Sequence, residues 1–235
     1  MQKLVAAFKY LTIWGRLTAA QPTPETIGAA AVYFPLVGLL LGLLLALINY
    51  GLSLYLDSEI LTVLLVAVLL IASGGAHLEG VKKTFDALTL ALAHARGSQE
   101  KIVGFVAILF VISFKLSAVD VLDDKVTLSL LLMPAFARWA LVIFIYGYHD
   151  RCDQTSRRIA ANVRFWHLLT TTVTTLGLAI YLLGRKALWI GLSLSVLVLL
   201  ARSLLHRRHA VLTHDNFGAV IELSETLSLV LLASL

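Results

Sequence analysis

The sequence is poor in charged residues and nearly free of cysteine, and both shortages exclude familiar classes of protein. Asp, Glu, Lys and Arg make up 14% of its 235 residues, whereas a typical soluble domain contains about 25%. The single cysteine, Cys152, cannot form an internal disulfide, so nothing points to an oxidising compartment or to a thiolate metal site. Motifs typical of P-loop proteins, serine hydrolases, zinc metalloproteases and dinucleotide-binding enzymes are also missing. No long linker or internal repeat divides the chain, so we expect one domain over residues 1–235.

Hydrophobic residues, by contrast, are abundant. They make up 59% of the chain, and the mean hydropathy is +0.89. A soluble globule of this length could not bury so much apolar surface, so the excess must face lipid. A helix needs about 20 apolar residues to cross a bilayer. Seven segments approach or exceed that length, at residues 27–55, 60–72, 102–119, 126–146, 168–183, 187–205 and 218–232.

The predicted fold class is therefore all-α, a polytopic integral membrane bundle of about seven transmembrane helices. Lys3 and Lys9 stand among apolar residues at helical spacing, which predicts an N-terminal amphipathic helix at the membrane interface. Fourteen of the nineteen Lys and Arg residues fall in alternate loops and three in the other loops, while Lys115 and Arg138 lie within spans. The basic face should be cytoplasmic, with the amino terminus inside and the carboxyl terminus outside. This distribution accounts for the net charge of +5 without nucleic-acid binding.

A polar segment, residues 73–86, follows the second predicted span. The paired Gly74 and Gly75 allow the backbone to turn sharply there. If a helix follows, Glu79, Lys83 and Asp86 share one of its faces. Carboxylates on one face can hold Mg²⁺ together with substrate phosphate oxygens. The alternative is a solvated salt bridge between Glu79 and Lys83, which are four residues apart.

Three further residues point to the same end of the bundle. Asp215 precedes the last span and is well placed to cap its helix. Glu222 lies about 6 Å along the helix from Gly218 at 1.5 Å per residue. Because a carboxylate facing lipid is costly, Glu222 should point into the bundle or into a wet cavity. Arg138, in the fourth span, can grip a phosphate with two hydrogen bonds or neutralise Glu222.

Together these residues predict a cytoplasm-facing pocket in a helical bundle. Its charged lining is expected to be Glu79, Asp86, Arg138, Asp215 and Glu222. Carboxylates beside cations suit a metal-assisted reaction on a phosphorylated substrate. They suit an ion or proton path through a transporter equally well. The residues alone leave both functions open.

Four motifs in the sequence resemble those of one known family. Residues 32–38, Val-Tyr-Phe-Pro-Leu-Val-Gly, resemble the start of the family's first span. Residues 74–80, Gly-Gly-Ala-His-Leu-Glu-Gly, are similar to its Gly-Gly-Leu-His-Leu-Asp-Gly motif. Arg138 and Trp139 match its fourth-span Gly-Arg-Trp, and residues 215–225 are similar to its carboxyl-terminal signature. The motifs occur in the family's order between about residue 10 and residue 235, and the family that they resemble is cobalamin synthase.

The resemblance implies adenosylcobinamide-GDP ribazoletransferase activity in cobalamin (vitamin B12) biosynthesis. The family joins α-ribazole, or its 5′-phosphate, to adenosylcobinamide-GDP and releases GMP. The resemblance further implies a requirement for Mg²⁺ and a multi-pass enzyme of the bacterial or archaeal inner membrane, surrounded by lipid, with a cytoplasmic active site. We also expect a homo-oligomer or a complex with other cobalamin-assembly enzymes.

Site residues are carried over motif by motif. The residues expected to be catalytic are Glu79, Asp86, Arg138, Asp215 and Glu222, with Glu79 and Asp86 as the metal ligands. The residues expected to bind substrate are His77, Lys83, Arg96, Ser98 and Thr213.

The acidic motif departs from the family pattern. Where the family has Asp-Gly-x-x-Asp-x-x-Asp, this chain has Glu79, Lys83 and Asp86, and Gly97 replaces a further Asp downstream. Loss of carboxylates weakens a site for a hard divalent cation. Either Lys83 takes the place of a metal and grips the phosphate, or the chain is a non-catalytic paralogue that binds corrinoid or scaffolds the synthesis complex. A CDP-alcohol phosphotransferase is disfavoured, because that family's fourth acid and its Ala-Arg pair are absent.

Overall fold

A computed structural model describes residues 1–18, 20–93, 101–122, 125–148, 152–207 and 211–235. These ranges contain α-helices and one 3₁₀ turn, Ala31–Tyr33, but no β-strand. The helices are α1 (Gln2–Leu11), α2 (Ile13–Leu17), α3 (Pro24–Ala29), α4 (Phe34–Leu52), α5 (Ser58–Ala72), α6 (Ala76–Ala93), α7 (Lys101–Asp120), α8 (Val126–Ile145), α9 (Gln154–Ala161), α10 (Phe165–Leu183), α11 (Lys186–Arg207) and α12 (His214–Ser234). The predicted all-α fold class is confirmed.

Six segments within the described residues are long and apolar enough to cross a membrane. They are Ala31–Leu52, Ile102–Asp120, Val126–Ile145, Phe165–Leu183, Lys186–Arg207 and His214–Ser234. Each coincides with one of the predicted spans. A multi-pass membrane protein follows from their number and composition.

The second predicted span differs from the others. Its helix, α5, has only 15 residues, and it qualifies as a span only together with Ala76–Thr89, to which it is bent by 82°. The bend occurs because Gly74 and Gly75 adopt φ values of +64° and +68°, a left-handed conformation that ends a right-handed helix. The pair is therefore a broken span or a re-entrant loop, and the total is six or seven crossings.

Helix α8 lies at the centre of the bundle, where it contacts α4, α10, α11 and α12. Two glycines allow α4 to approach it closely. A Cβ at Gly38 would lie 2.4 Å from the Pro134 carbonyl oxygen, and one at Gly42 would lie 2.2 Å from the Leu131 carbonyl oxygen. Helices in lipid associate largely through close packing of this kind, because lipid tails are as apolar as the side chains.

The N-terminal helices α1 and α2 form the predicted amphipathic segment. Helix α1 buries Ala6, Ala7 and Leu11 against the bundle and contacts α3 and α4, while Lys3 is exposed. The segment breaks at Thr12, whose hydroxyl donates to the Phe8 carbonyl oxygen at 2.6 Å. Its amphipathic character is confirmed, and its position at the membrane interface stays a prediction.

We predict that Gly42→Ala lowers the thermal unfolding midpoint of the purified protein in detergent. The new methyl group meets a backbone carbonyl that cannot rotate away, and overpacking of this kind costs about 1–3 kcal/mol. For a chain of this size each kcal/mol corresponds to a fall of about 2–4 °C. Gly51→Ala is the matched control, since Gly51 lies in the same helix with no described atom within 4 Å of the new Cβ. Equal unfolding midpoints for the two variants would contradict the close approach of α4 to α8 at Gly42.

Candidate functional site

A cavity of about 260 Å³ opens where the N-terminal helices, the α5–α6 turn and the start of α12 meet. The polar and charged side chains in its wall include Lys9, Tyr10, Ser73, His77, Glu79 and Asp215. Three of these, His77, Glu79 and Asp215, belong to the motifs singled out in the sequence. The cavity is therefore the candidate site.

The N-terminal wall of the cavity is built around Tyr10. Its ring stacks on Phe34, with ring centroids 5.7 Å apart, and meets the edge of His214 at 5.3 Å. Burial, reinforced by the charge of Asp153, raises the pKa of the Tyr10 hydroxyl, so this group stays protonated. Tyr10 thus gives the cavity a neutral hydrogen-bonding wall.

Two helices begin at this cavity. Helix α6 begins at Ala76 beside the glycine turn. Helix α12 begins at His214 after a reciprocal cap, in which the Thr213 amide donates to Asn216 Oδ1 at 2.7 Å. The first amides of a helix have no partner within it and carry a partial positive charge. Two such ends beside one cavity favour a bound anion such as phosphate.

A glycine contact brings the two helix starts together. A Cβ at Gly80 would lie 2.3 Å from the Asp215 carbonyl oxygen, and one at Gly218 would lie 3.1 Å from the His77 Cα atom. Any larger residue at Gly80 would force the backbones apart. This approach explains why motifs far apart in the sequence share one cavity.

At the rim of the cavity, one lysine joins two carboxylates. Lys83 Nζ lies 2.9 Å from Glu79 Oε1 and 3.3 Å from Asp215 Oδ1. The Lys83 side chain is 51% exposed, so solvent reaches this group. The salt bridge that the sequence offered as an alternative is present, and it extends to a second helix.

Beneath the cavity, four charged side chains form a fully buried cluster. Lys115 donates to Glu222 and, at 2.6 Å, to Glu225 Oε2. Arg138 donates to Glu225 Oε1. Each of the four side chains is at most 1% exposed, and their formal charges cancel. Pairing of this kind is what makes charge tolerable inside a membrane bundle.

Sequence reasoning placed Glu222 correctly inside the bundle but missed two of its neighbours. Arg138 was expected to neutralise Glu222, yet its direct partner is Glu225, and Lys115 contacts Glu222 instead. The sequence did indicate Glu225 as a neighbour, because it follows Glu222 by three residues and so lies on the same helix face. Lys115 was also one of only two cations placed within spans.

His77 connects the cavity with the buried cluster. The residue is 6% exposed and lines the cavity, while its Nδ1 atom lies 4.0 Å from Glu222 Oε2. That distance is too long for a hydrogen bond, and no other described group bonds to Nδ1. The imidazole ring thus lies between the cavity and a buried carboxylate.

The residues expected to line one pocket lie in three groups. Glu79 and Asp215 are at the rim, whereas Arg138 and Glu222 are in the buried cluster. Asp86 lies apart, on the side of α6 that faces α7, where it accepts from Lys82 Nζ at 2.7 Å and from the Gly104 amide at 2.8 Å.

The expected substrate-binding residues are also divided. His77 lines the cavity and Lys83 lies at its rim, while Thr213 acts as the N-cap of α12. Arg96 and Ser98 lie outside the described residues. No finding assigns a catalytic or binding role to any of these positions, so the roles stay predictions.

The predicted magnesium ligands do not fit a divalent ion as they are arranged. Glu79 and Asp86 are each held by a different lysine, whose ammonium group repels a second cation. The described part of the chain contains no group of three or more His, Cys, Asp or Glu residues that could hold a metal ion. The magnesium requirement stays a prediction.

Known proteins match this chain along nearly its whole length. The family model described as cobalamin-5-phosphate synthase matches residues 3–233. The adenosylcobinamide-GDP ribazoletransferase of Geotalea daltonii is 30% identical over 218 residues, covering 90% of this chain and 88% of that protein. The protein of the same description from Stutzerimonas stutzeri is 31% identical over 246 residues, covering 99% of this chain and 98% of that protein. No solved structure matches the chain.

We predict that Lys115→Met strongly destabilises the protein, because it leaves Arg138 alone with two buried carboxylates. Removing one partner of a buried ion pair costs about 3–5 kcal/mol. The double variant Lys115→Met/Glu222→Gln restores a neutral cluster and should recover at least half of the lost thermal stability. Unfolding midpoints in detergent measure both effects. If the double variant were no more stable than Lys115→Met, the charge balance of the cluster would not be what determines the stability of the protein.

Proposed function

Because the chain belongs to the cobalamin-5-phosphate synthase family, we propose that it is the transferase that joins α-ribazole, or its 5′-phosphate, to adenosylcobinamide-GDP. The reaction releases GMP and is a late step of cobalamin biosynthesis. A ribazole hydroxyl oxygen attacks the phosphorus attached to the cobinamide, and the bond from that phosphorus to the GMP oxygen breaks. The hydroxyl proton must be accepted, and the negative charge that gathers on the phosphates must be offset.

The cavity suits the phosphates of the substrate. The starts of α6 and α12 provide partial positive charge, and the side chains of Lys9 and Lys83 lie in the wall and at the rim. A volume of about 260 Å³ holds a diphosphate but cannot enclose a corrinoid, which must remain outside. Positioning and electrostatic stabilisation provide most of the catalysis in phosphoryl transfer.

The observation that carries the proposal is the position of His77. With a proton on Nδ1 directed towards Glu222, its Nε2 atom is free to accept the hydroxyl proton of ribazole. The Glu222 carboxylate, whose Oε2 atom lies 4.0 Å from Nδ1, orients the ring for this step. Hydrogen bonds of this type are often long without substrate and shorten when substrate binds. Lys115 fixes the position of Glu222 from the opposite side.

The location of the enzyme is part of the same proposal. We place it in the cell inner membrane with the cavity on the cytoplasmic face. The positive-inside rule supports this orientation, because most Lys and Arg residues fall in loops on the side of the amino terminus. Counting α5 and α6 as one broken span gives seven crossings and puts the carboxyl terminus outside. We also propose that the enzyme forms a homo-oligomer or a complex with other cobalamin-assembly enzymes.

We expect the purified protein in nanodiscs to release GMP from adenosylcobinamide-GDP when α-ribazole 5′-phosphate is added. Chromatographic quantification of GMP and of the cobalamin product measures the reaction, with and without Mg²⁺. Omission of the ribazole substrate is the control for simple hydrolysis. Corrinoid binding without GMP release under both metal conditions would contradict the proposal and identify a non-catalytic relative.

We predict that His77→Ala lowers kcat by about 10²–10⁴-fold, the usual contribution of general base catalysis. KM for adenosylcobinamide-GDP should change little, because the diphosphate is bound by other groups. His206→Ala is the matched control, since His206 is exposed near the end of α11. Turnover of His77→Ala at the wild-type rate, with the variant folded as judged by circular dichroism, would exclude His77 as the proton acceptor.

A further inference from the structure

The lysine at the cavity rim occupies the position between two carboxylates that a bound cation would take. Its Nζ atom lies 2.9 Å from Glu79 Oε1 and 3.3 Å from Asp215 Oδ1. The two acids come from different helices, and both line the cavity. Lys83 itself lies one helical turn after Glu79, the spacing at which a lysine pairs with a carboxylate on the same helix.

The arrangement leaves part of the lysine available to a ligand. An ammonium group has three N–H donors and no acceptor. Two of the donors face Glu79 and Asp215, and the side chain is 51% exposed. Lys83 does not itself line the cavity, but its third donor is open to a phosphate oxygen that binds at the rim, while the two carboxylates keep the ammonium group in place.

The backbone fixes the spacing of this group. The contact of Gly80 with the Asp215 carbonyl oxygen, which allows no Cβ, holds the first turn of α12 against α6. Asn216, next to Asp215, donates to Thr84 Oγ1 at 2.9 Å, beside Lys83 on α6. The lysine bridge thus spans two helix starts that are already held together on both sides.

We propose that Lys83 supplies, from within the chain, the positive charge that Glu79 and Asp215 would otherwise take from a divalent cation, and that it binds the substrate phosphates directly. The inference rests on the proposed function for the identity of the phosphates. Its main consequence, that the rim carboxylates are closed to divalent metal while Lys83 is present, does not depend on turnover.

The neighbouring Lys82 provides a matched comparison. It pairs with the single carboxylate of Asp86 at 2.7 Å and lies 4.8 Å from the centre of the Phe105 ring. Replacement of Lys82 removes the same charge from the same helix but frees one carboxylate rather than two. Replacement of Lys83 frees a pair from two helices.

Binding of Mn²⁺, followed by electron paramagnetic resonance on the full chain in phosphatidylcholine nanodiscs, tests this directly. We expect Lys83→Met to bind Mn²⁺ at least tenfold more tightly than the wild type, whereas Lys82→Met and Lys83→Arg behave as the wild type. The gain should disappear in Lys83→Met/Glu79→Gln/Asp215→Asn. A wild type that binds Mn²⁺ as tightly as Lys83→Met, or a gain that survives loss of both carboxylates, would overturn the proposal.

Turnover provides a second and separate measurement. With excess EDTA the wild type should still release GMP, and Lys83→Met should lose at least 90% of its rate until Mg²⁺ is added. Wild-type release that stops with EDTA and returns with Mg²⁺ would overturn the role of Lys83. Failure of the wild type to release GMP under any condition would contradict the proposed function alone, because the Mn²⁺ result stands without it.

Discussion

Four charged side chains meet inside the bundle, and the positions of three helices depend on their pairing. Glu222 and Glu225 of α12 contact Lys115 of α7, and Glu225 also contacts Arg138 of α8. A single unpaired charge at this depth costs about 2.5–3.5 kcal/mol even on the mildest scale, so each helix is held in the register that keeps its partner. The same register places Glu222 next to His77. The pairing that neutralises the buried charges therefore also fixes the geometry of the candidate site.

Helix α12 carries its acids in a line from the cavity into the core. Asp215, Glu222 and Glu225 are separated by seven and three residues, which puts them on one helix face. The outer acid shares Lys83 with Glu79, and the two inner acids share Lys115. Each lysine stands where two carboxylates converge, once in contact with solvent and once without it. The exposed pair is open to a ligand, whereas the buried pair has no contact with solvent and, among the described residues, reaches the cavity only through His77.

The sequence was sufficient for features that depend on local rules. The length of the apolar runs predicted the spans, and the paired glycines predicted the turn before α6. The cost of charge in lipid predicted that Glu222 faces inward. What it did not provide was the choice of partners. Asp86 shares a helix face with Glu79 by spacing, yet a packed α7 presents the Gly104 amide and keeps Asp86 away from the cavity. The pairing of Glu225 with Arg138 likewise depends on how α8 and α12 pack, and the spacing of residues within one helix does not predict that packing.

Because the chain is synthesised from its amino terminus, the cations and the acids of the buried cluster are made at different times. Lys115 precedes Glu222 by 107 residues, and Arg138 precedes Glu225 by 87. At about 5–20 residues per second, both cations therefore emerge on the order of 5–20 s before the acids that neutralise them. During that interval α7 and α8 have no permanent counterions, and only completion of the last helix closes the bundle. A chain that stops before α12 lacks both acids and leaves Lys115 and Arg138 unpaired at membrane depth, so these two cations depend on the last helix for their neutralisation.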